Sequence, residues 1–318
     1  MSREPGRAQD NEYQGDPLAG RDGSRDPVLN LERKSIYWSL SRLVLFVGLF
    51  LLCSRTLVDL CSVSGLNPGS FADPVSSFYE LLLLACAIVI ICLLSKRFDR
   101  QILTDIGLRS DKVLPNLVVG FVIGGFLVSA IIGGVFLLGG YQVSGLSLID
   151  NLISVLVFFL IVGIFEEVVF RGYLFGLFEK SIGTVGGVVV ASLLFGFAHM
   201  LNSVEGLGFW DQVLACLILS FESGLPLNIA FVLTRNLWLP IGIHWAWNFF
   251  EGPVYGAYVS GHGLEQSIVD STLKGGFVLG GGPFGPESSL SGIVAGLLCA
   301  YAISRAGPVF EKLKLKGH

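Results

Sequence analysis

Eight apolar runs, at 36–53, 76–94, 113–138, 148–178, 183–201, 213–233, 238–250 and 290–306, are each bounded by charges, prolines or glycine clusters. Runs of this length constrain the fold more than anything else in the chain, because a helix needs about 20 apolar residues to cross a hydrocarbon core about 30 Å thick. Most of the eight meet that length, and the seventh is short. The runs are continuous rather than alternating, and lipid offers no partner to a free backbone group, so helices rather than strands are predicted. Composition agrees: 52% of the residues are hydrophobic and 14% charged, with a mean hydropathy of +0.70. That is more apolar than a soluble domain with a charged surface. The expected fold is all-α, a polytopic membrane helical bundle with about eight transmembrane helices.

Residues 1–35 differ. Seven acids, six bases, several glycines and almost no aliphatic side chains give this stretch nothing to bury, which predicts a disordered tail. The tail lacks an apolar segment suited to a secretory signal, so the first run is expected to be an uncleaved helix and 36–318 the membrane domain. Lysine and arginine are unevenly spread over the connections. The tail holds six, 95–112 holds five, and the C-terminal end holds four, whereas 54–75 holds only Arg55 and 251–289 only Lys274. With eight spans all basic-rich segments fall on one side, which predicts cytoplasmic termini. The net charge of −4 and the absence of a basic patch give no reason to expect nucleic acid as a partner. The six cysteines have no CxxC spacing and read as packing residues. The glycine-rich GGFVLGGGPFGP at 275–286 lacks the GK[ST] ending of a phosphate loop and reads as a flexible outward loop. Gly120 and Gly124 form a small-xxx-small pair that would let two helices approach closely.

The polar residues inside the apolar runs cluster. An ionisable group at the centre of a membrane helix costs at least about 2.5 kcal/mol, so such groups usually face the bundle interior and carry function. The fourth run contains FEEVVFRG, with Glu166, Glu167 and Arg171; the fifth ends on His199; the seventh carries His244 and Asn248; the sixth carries Glu222. Glu167 and Arg171 stand at i and i+4 on one helix face and can pair, while Glu166 is turned by about 100° and lacks that partner. His244 and Asn248 share a face in the same way, among Trp245, Trp247, Phe249 and Phe250. A carboxylate, two histidines and an amide in a low-dielectric pocket suit amide hydrolysis by water, with the carboxylate as base and an N–H donor at the oxyanion. The same groups could hold zinc through Glu166, His199 and His244 with one open position. Spacing leaves both readings open. Glu222 reads as a packing or cavity-lining residue.

Three motifs stand in order: EEVVFR fits EExxxR, FGFAH fits FxxxH, and HWAWN fits HxxxN. The set resembles the CPBP family, the CAAX proteases and bacteriocin-processing enzymes, which are intramembrane endopeptidases and include the type II CAAX prenyl endopeptidases. The likeness extends to DIGL at 105–108 and GPFGPE at 282–287 and covers a protease core of about 105–306. The resemblance implies Glu166 as the general base, His199 as a ligand of the water or of a metal, and His244 with Asn248 as the oxyanion pair. It implies Glu167 and Arg171 as structural support. The family is described both as zinc-dependent and as metal-free, so the implied cofactor is zinc or none. The implied partner is a membrane-associated peptide or protein, prenylated in the CAAX case. A multi-pass transporter, with midplane carboxylates and histidines as a proton or ion path, is the rival reading. A non-catalytic membrane adaptor is the third.

One feature resists this reading. At about 1.5 Å per residue, Glu166 and His199 lie about 20 and 24 Å along their helices from the cytoplasmic end, but His244 only about 9 Å from Trp238. The three meet only if the connection TRNLW at 234–238 dips into the bundle.

Overall fold

The computed structural model describes residues 35–66, 73–98, 105–202, 204, 206–264 and 266–315, with 306–315 described by backbone alone. The predicted tail, up to residue 34, lies outside this range. Among the described residues, ten α-helices and two strands follow in order: α1 (Ile36–Val63), α2 (Pro74–Phe98), α3 (Val113–Leu137), β1 (Tyr141–Leu146), α4 (Leu152–Glu167), α5 (Phe175–Ala198), α6 (Phe209–Leu219), α7 (Leu225–Thr234), α8 (Trp238–Phe249), β2 (Val269–Leu273), α9 (Gly276–Gly280) and α10 (Leu290–Leu315). Wide π-helical turns join α4 to α5 (Val168–Leu174) and α6 to α7 (Ser220–Gly224), and a third follows α8 (Phe250–Val254).

Among the described residues, five helical stretches are long and apolar enough to cross a bilayer: Ile36–Val63, Pro74–Phe98, Val113–Leu137, Leu152–Leu201 and Phe209–Thr234. This differs from the eight read off the sequence in three places, the last run falling among the shorter apolar helices as Leu290–Arg305. Runs four and five form one 50-residue helical stretch, and the seventh run forms a helix of 12 residues, about 18 Å long and too short to cross alone. The long stretch is not a straight rod. Gly183 inside it has φ 79° and ψ 173°, outside the helical region. In a straight helix Phe170 and Phe195 would be about 37 Å apart, yet their rings meet edge to face at 5.2 Å. The stretch therefore folds back at Gly183, the residue type that adopts positive φ without strain, and brings the FxxxH segment beside EExxxR.

The all-α expectation needs a second correction. β1 and β2 pair antiparallel, with Tyr141 opposite Leu273 and a register shift between Val143 and Gly145. The two strands come from the connections 139–147 and 251–289, so these lie on the same side of the bundle. The glycine-rich loop is more ordered than its composition suggests: Phe284 is fully buried, Ser288 Oγ donates to the Gly281 and Gly285 carbonyls, and residues 284–289 are buried throughout. All six cysteines are unpaired.

Close backbone packing sets α8 in place. A Cβ on Gly120 would lie 2.3 Å from the Leu239 carbonyl, one on Gly124 2.2 Å from the Ile243 carbonyl, and one on Gly242 2.3 Å from the Leu117 carbonyl. The small-xxx-small pair thus seats α3 against the helix that carries His244 and Asn248. The preceding connection is also pinned. Leu237 N donates to Gly107 O at 2.9 Å, Asn236 Nδ2 to Asp111 O at 3.2 Å and Trp238 Nε1 to Arg109 O at 2.7 Å. Asn236 and Leu237 are buried, and Arg235 pairs with both oxygens of Glu179 at 2.7 Å. The DIGL segment supplies this anchor through its Gly107 carbonyl.

Candidate active site

The π turn after Glu167 contains Arg171, and both side chains are fully buried. Arg171 Nη1 donates to Glu167 Oε1 at 2.7 Å, while Nη2 reaches the carbonyls of Ser223 and Gly224 at 3.4 and 3.3 Å. Those carbonyls belong to the second π turn and its end. The guanidinium also lies 4.2 Å from the Phe195 ring centroid, a cation–π contact. A charge buried among helices is tolerable only when paired and hydrogen-bonded, and Arg171 achieves this by tying three elements together.

Glu167 has a second partner that spacing did not reveal. His244 Nδ1 lies 2.8 Å from the same Oε1 that receives Arg171. A carboxylate already holding a guanidinium accepts, so Nδ1 carries the hydrogen and donates. This orients the ring and leaves Nε2 3.6 Å from Glu166 Oε2. Glu166 Oε2 itself is buried without a hydrogen-bond partner. On the neighbouring element, His199 Nδ1 lies 2.9 Å from the Phe195 carbonyl. That oxygen also only accepts, so Nδ1 donates and Nε2 presents its lone pair. The rings of His199 and His244 both pack edgewise on Phe195, at 5.2 and 5.9 Å.

Glu166, His199, His244 and Asn248 all line one cavity of about 300 Å³. The depth mismatch read from the sequence is resolved by the 234–238 connection, buried at Asn236 and Leu237 and pinned to residues 107–111, and by the short α8. Asn248 is 7% exposed and has no hydrogen-bond partner among the described residues. Glu167 and Arg171 sit behind the cavity wall. Glu222 is buried off this cavity, hydrogen-bonded by Ser223, and lines a separate void of about 20 Å³ next to His244. The cavity also gathers residues the sequence reading passed over: Glu80 of α2, Ser260, His262 and Glu287. Glu287 Oε1 accepts from Ser260 N at 2.6 Å and from Ser260 Oγ at 2.7 Å. The GPFGPE motif marked its position; nothing in the sequence marked Glu80.

Residues 148–250 match the family model described as Rce1-like, type II CAAX prenyl endopeptidase. This match supports membership of the CAAX protease, or CPBP, family. No curated protein and no solved structure matches it. The CAAX protease segment contains EExxxR, FxxxH and HxxxN complete, and it leaves Glu80, Ser260, His262 and Glu287 outside. The match, together with the apolar helices, supports an intramembrane protease in a multi-pass membrane protein. The zinc set does not assemble as a ligand cluster: among the described residues, no group of three or more His, Cys, Asp and Glu could hold a metal ion. Nδ1 of each histidine donates to an oxygen, which leaves both Nε2 atoms to the cavity, and His244 Nε2 lies 3.6 Å from Glu166 Oε2.

Proposed function

We propose that the protein is an intramembrane endopeptidase that hydrolyses a peptide bond of a membrane-associated peptide or protein, with water activated by Glu166. The observation that carries this reading is the convergence of Glu166, His199, His244 and Asn248 on one cavity. The four divide by hydrogen-bonding capacity. Glu166 Oε2 and His199 Nε2 are free acceptors and hold the two hydrogens of a water molecule. Glu166 takes one proton as the oxygen attacks the carbonyl carbon. His244 in its imidazolium form, flanked by Glu166 and Glu167, presents Nε2–H, and Asn248 presents its amide. Both donate to the carbonyl oxygen as it gains negative charge, a preorganised stabilisation that water would supply less well. Glu166 then passes its proton to the leaving nitrogen. Glu167 and Arg171 hold the imidazole in orientation. A prenylated CAAX protein is one substrate that the family match suggests.

The test is cleavage of membrane-associated peptides by the purified protein in liposomes, read by mass spectrometry. Glu166→Gln keeps the shape and cannot accept the water proton, so turnover is expected to fall at least about 10³-fold with the protein still folded. Cleavage by the wild type is expected to survive a strong chelator. Equal activity of Glu166→Gln and wild type overturns the general-base role, and loss on chelation restored by zinc overturns the metal-free mechanism. Ion flux without cleavage places the protein with transporters, and partner capture alone with adaptors.

A further inference from the structure

Among the described residues two arginines are buried, Arg42 and Arg171, and they are served differently. Arg171 has a carboxylate and two backbone carbonyls. Arg42, on α1, is 9% exposed, yet among the described residues no carboxylate pairs with it, and its Nε is buried without a hydrogen-bond partner. A buried guanidinium without a counterion is costly, and an anion from outside the chain removes that cost.

The surroundings select the kind of anion. The Arg42 guanidinium lies 3.2 Å from the ring centroid of Phe98, the last residue of α2, and 5.7 Å from that of Trp38, one turn earlier on its own helix. Arg97 brings a second guanidinium to 5.1 Å from the same Phe98 ring, and Lys96 stands exposed beside it. Like charges gathered at one ring repel each other, and an anion among them reverses the sign of that interaction. Ser95, one turn before Phe98 on the same face of α2, is buried with its Oγ unpartnered and can donate. Planar guanidinium forks with a hydroxyl match the several oxygens of a phosphate.

Position selects its source. Arg42 is about 9 Å along α1 from Ile36. Ser39 Oγ donates to the Leu177 carbonyl at 2.8 Å, so the start of α1, the end of α2 and the segment before Gly183 share one end of the bundle. The basic connection 95–112 begins at that end. Arginines at this depth reach for headgroups while their stems stay among apolar groups. Tyr37, Leu40 and Val44 flank Arg42 as exposed apolar surface that acyl chains can cover. Basic pockets between membrane helices bind anionic headgroups in this way.

We propose that the α1–α2 contact at Arg42 binds the phosphodiester of an anionic phospholipid, with Arg42, Arg97 and Ser95 as donors to the phosphate oxygens and the acyl chains lying along α1. The proposal does not depend on the peptidase reading. It does touch the catalytic segment through α1, whose Phe46 and Phe50 rings meet Tyr173 at 5.3 Å and Phe165 at 5.5 Å. A lipid held at Arg42 fixes α1 against the stretch that carries Glu166 and Arg171.

The experiment uses the full chain in nanodiscs of phosphatidylcholine and phosphatidylglycerol mixed in equal amounts. Lipid retained on release is counted by native mass spectrometry, and a phosphatidylglycerol with a photoreactive headgroup maps the contact. Phosphatidylglycerol is expected to be retained over phosphatidylcholine at least about fivefold. Crosslinks are expected in segments 38–42 and 95–98. Arg42→Gln is expected to shrink the preference at least about threefold. Arg55→Gln, which removes the exposed partner of Asp59 further along α1, is expected to leave it unchanged. If Arg42→Gln does not fold, the crosslink map of the wild type decides. Equal retention of the two lipids by the wild type, an undiminished preference in folded Arg42→Gln, or crosslinks confined to other segments overturns the proposal. Inorganic phosphate in large excess is expected to leave the bound phosphatidylglycerol in place, and its displacement by phosphate overturns the lipid as the source of the anion.

Discussion

Glu167 shows how little of a residue's role its helical spacing reveals. The i, i+4 relation to Arg171 is legible in FEEVVFR, and the 2.7 Å pair realises it. The bond to His244 comes from 77 residues away and depends on how α8 seats. One carboxylate oxygen thus compensates a buried guanidinium and orients an imidazole. Glu167→Gln keeps the volume but removes the charge that both partners share, leaving Arg171 buried without a counterion. Breaking a buried pair in this way typically costs about 3–5 kcal/mol. A clear fall in the thermal unfolding temperature in detergent is expected, together with a loss of kcat in the folded fraction as the imidazolium loses its support. Wild-type stability in this variant would show that the backbone carbonyls of Ser223 and Gly224 alone suffice for Arg171.

At the scale of elements, the site is made by departures from regular helix. Three π turns lie at Val168–Leu174, Ser220–Gly224 and Phe250–Val254, next to EExxxR, Glu222 and HxxxN respectively. π turns inside helices occur often at functional sites because the extra residue redirects side chains. Glycines do the complementary work of close approach along α3 and α8. Gly124 meets the Ile243 carbonyl, one residue before His244, whereas a Cβ on Gly134, nearly three turns on, would meet nothing within 4 Å. Gly124→Ala is therefore expected to destabilise by about 1–3 kcal/mol through overpacking against backbone and to lower activity by shifting α8. Gly134→Ala, in open space within the same helix, is expected to be neutral or stabilising by up to about 1 kcal/mol. Unfolding midpoints of the two variants in one detergent check this, and equal midpoints would refute the packing account.

For the whole molecule, the small sheet supplies a test of sidedness. β1 and β2 belong to connections that carry few basic residues, and their pairing requires both on one side of the bundle. The charge distribution predicts that this side is the exterior and that the termini are cytoplasmic. In a background whose six native cysteines are replaced, single cysteines at Ser144 and Thr272 are expected to react with a membrane-impermeant thiol reagent added to intact cells. A cysteine in the N-terminal tail is expected to react only after permeabilisation. The opposite pattern inverts the orientation, and labelling of Ser144 and Thr272 from opposite sides contradicts the sheet.

The sequence by itself determined the solvent, the helical class and which polar residues stand inside apolar runs, because each is a local property. Apolar run length answers to bilayer thickness, and an ionisable residue within such a run declares its own cost. EExxxR, FxxxH and HxxxN could be read for the same reason: each fits within two turns of helix. Only the tertiary structure decided that runs four and five fold back on each other at Gly183, since a lone glycine among several gives no sign of which will break. It alone placed the short α8 at the depth of Glu166, through hydrogen bonds from residues 236–238 to 107–111 that no periodicity encodes. It also brought Glu80 and Glu287 to the cavity from opposite ends of the membrane domain. Their sequence neighbourhoods say nothing of that meeting, because charge proximity across 207 positions is a property of packing and not of pattern.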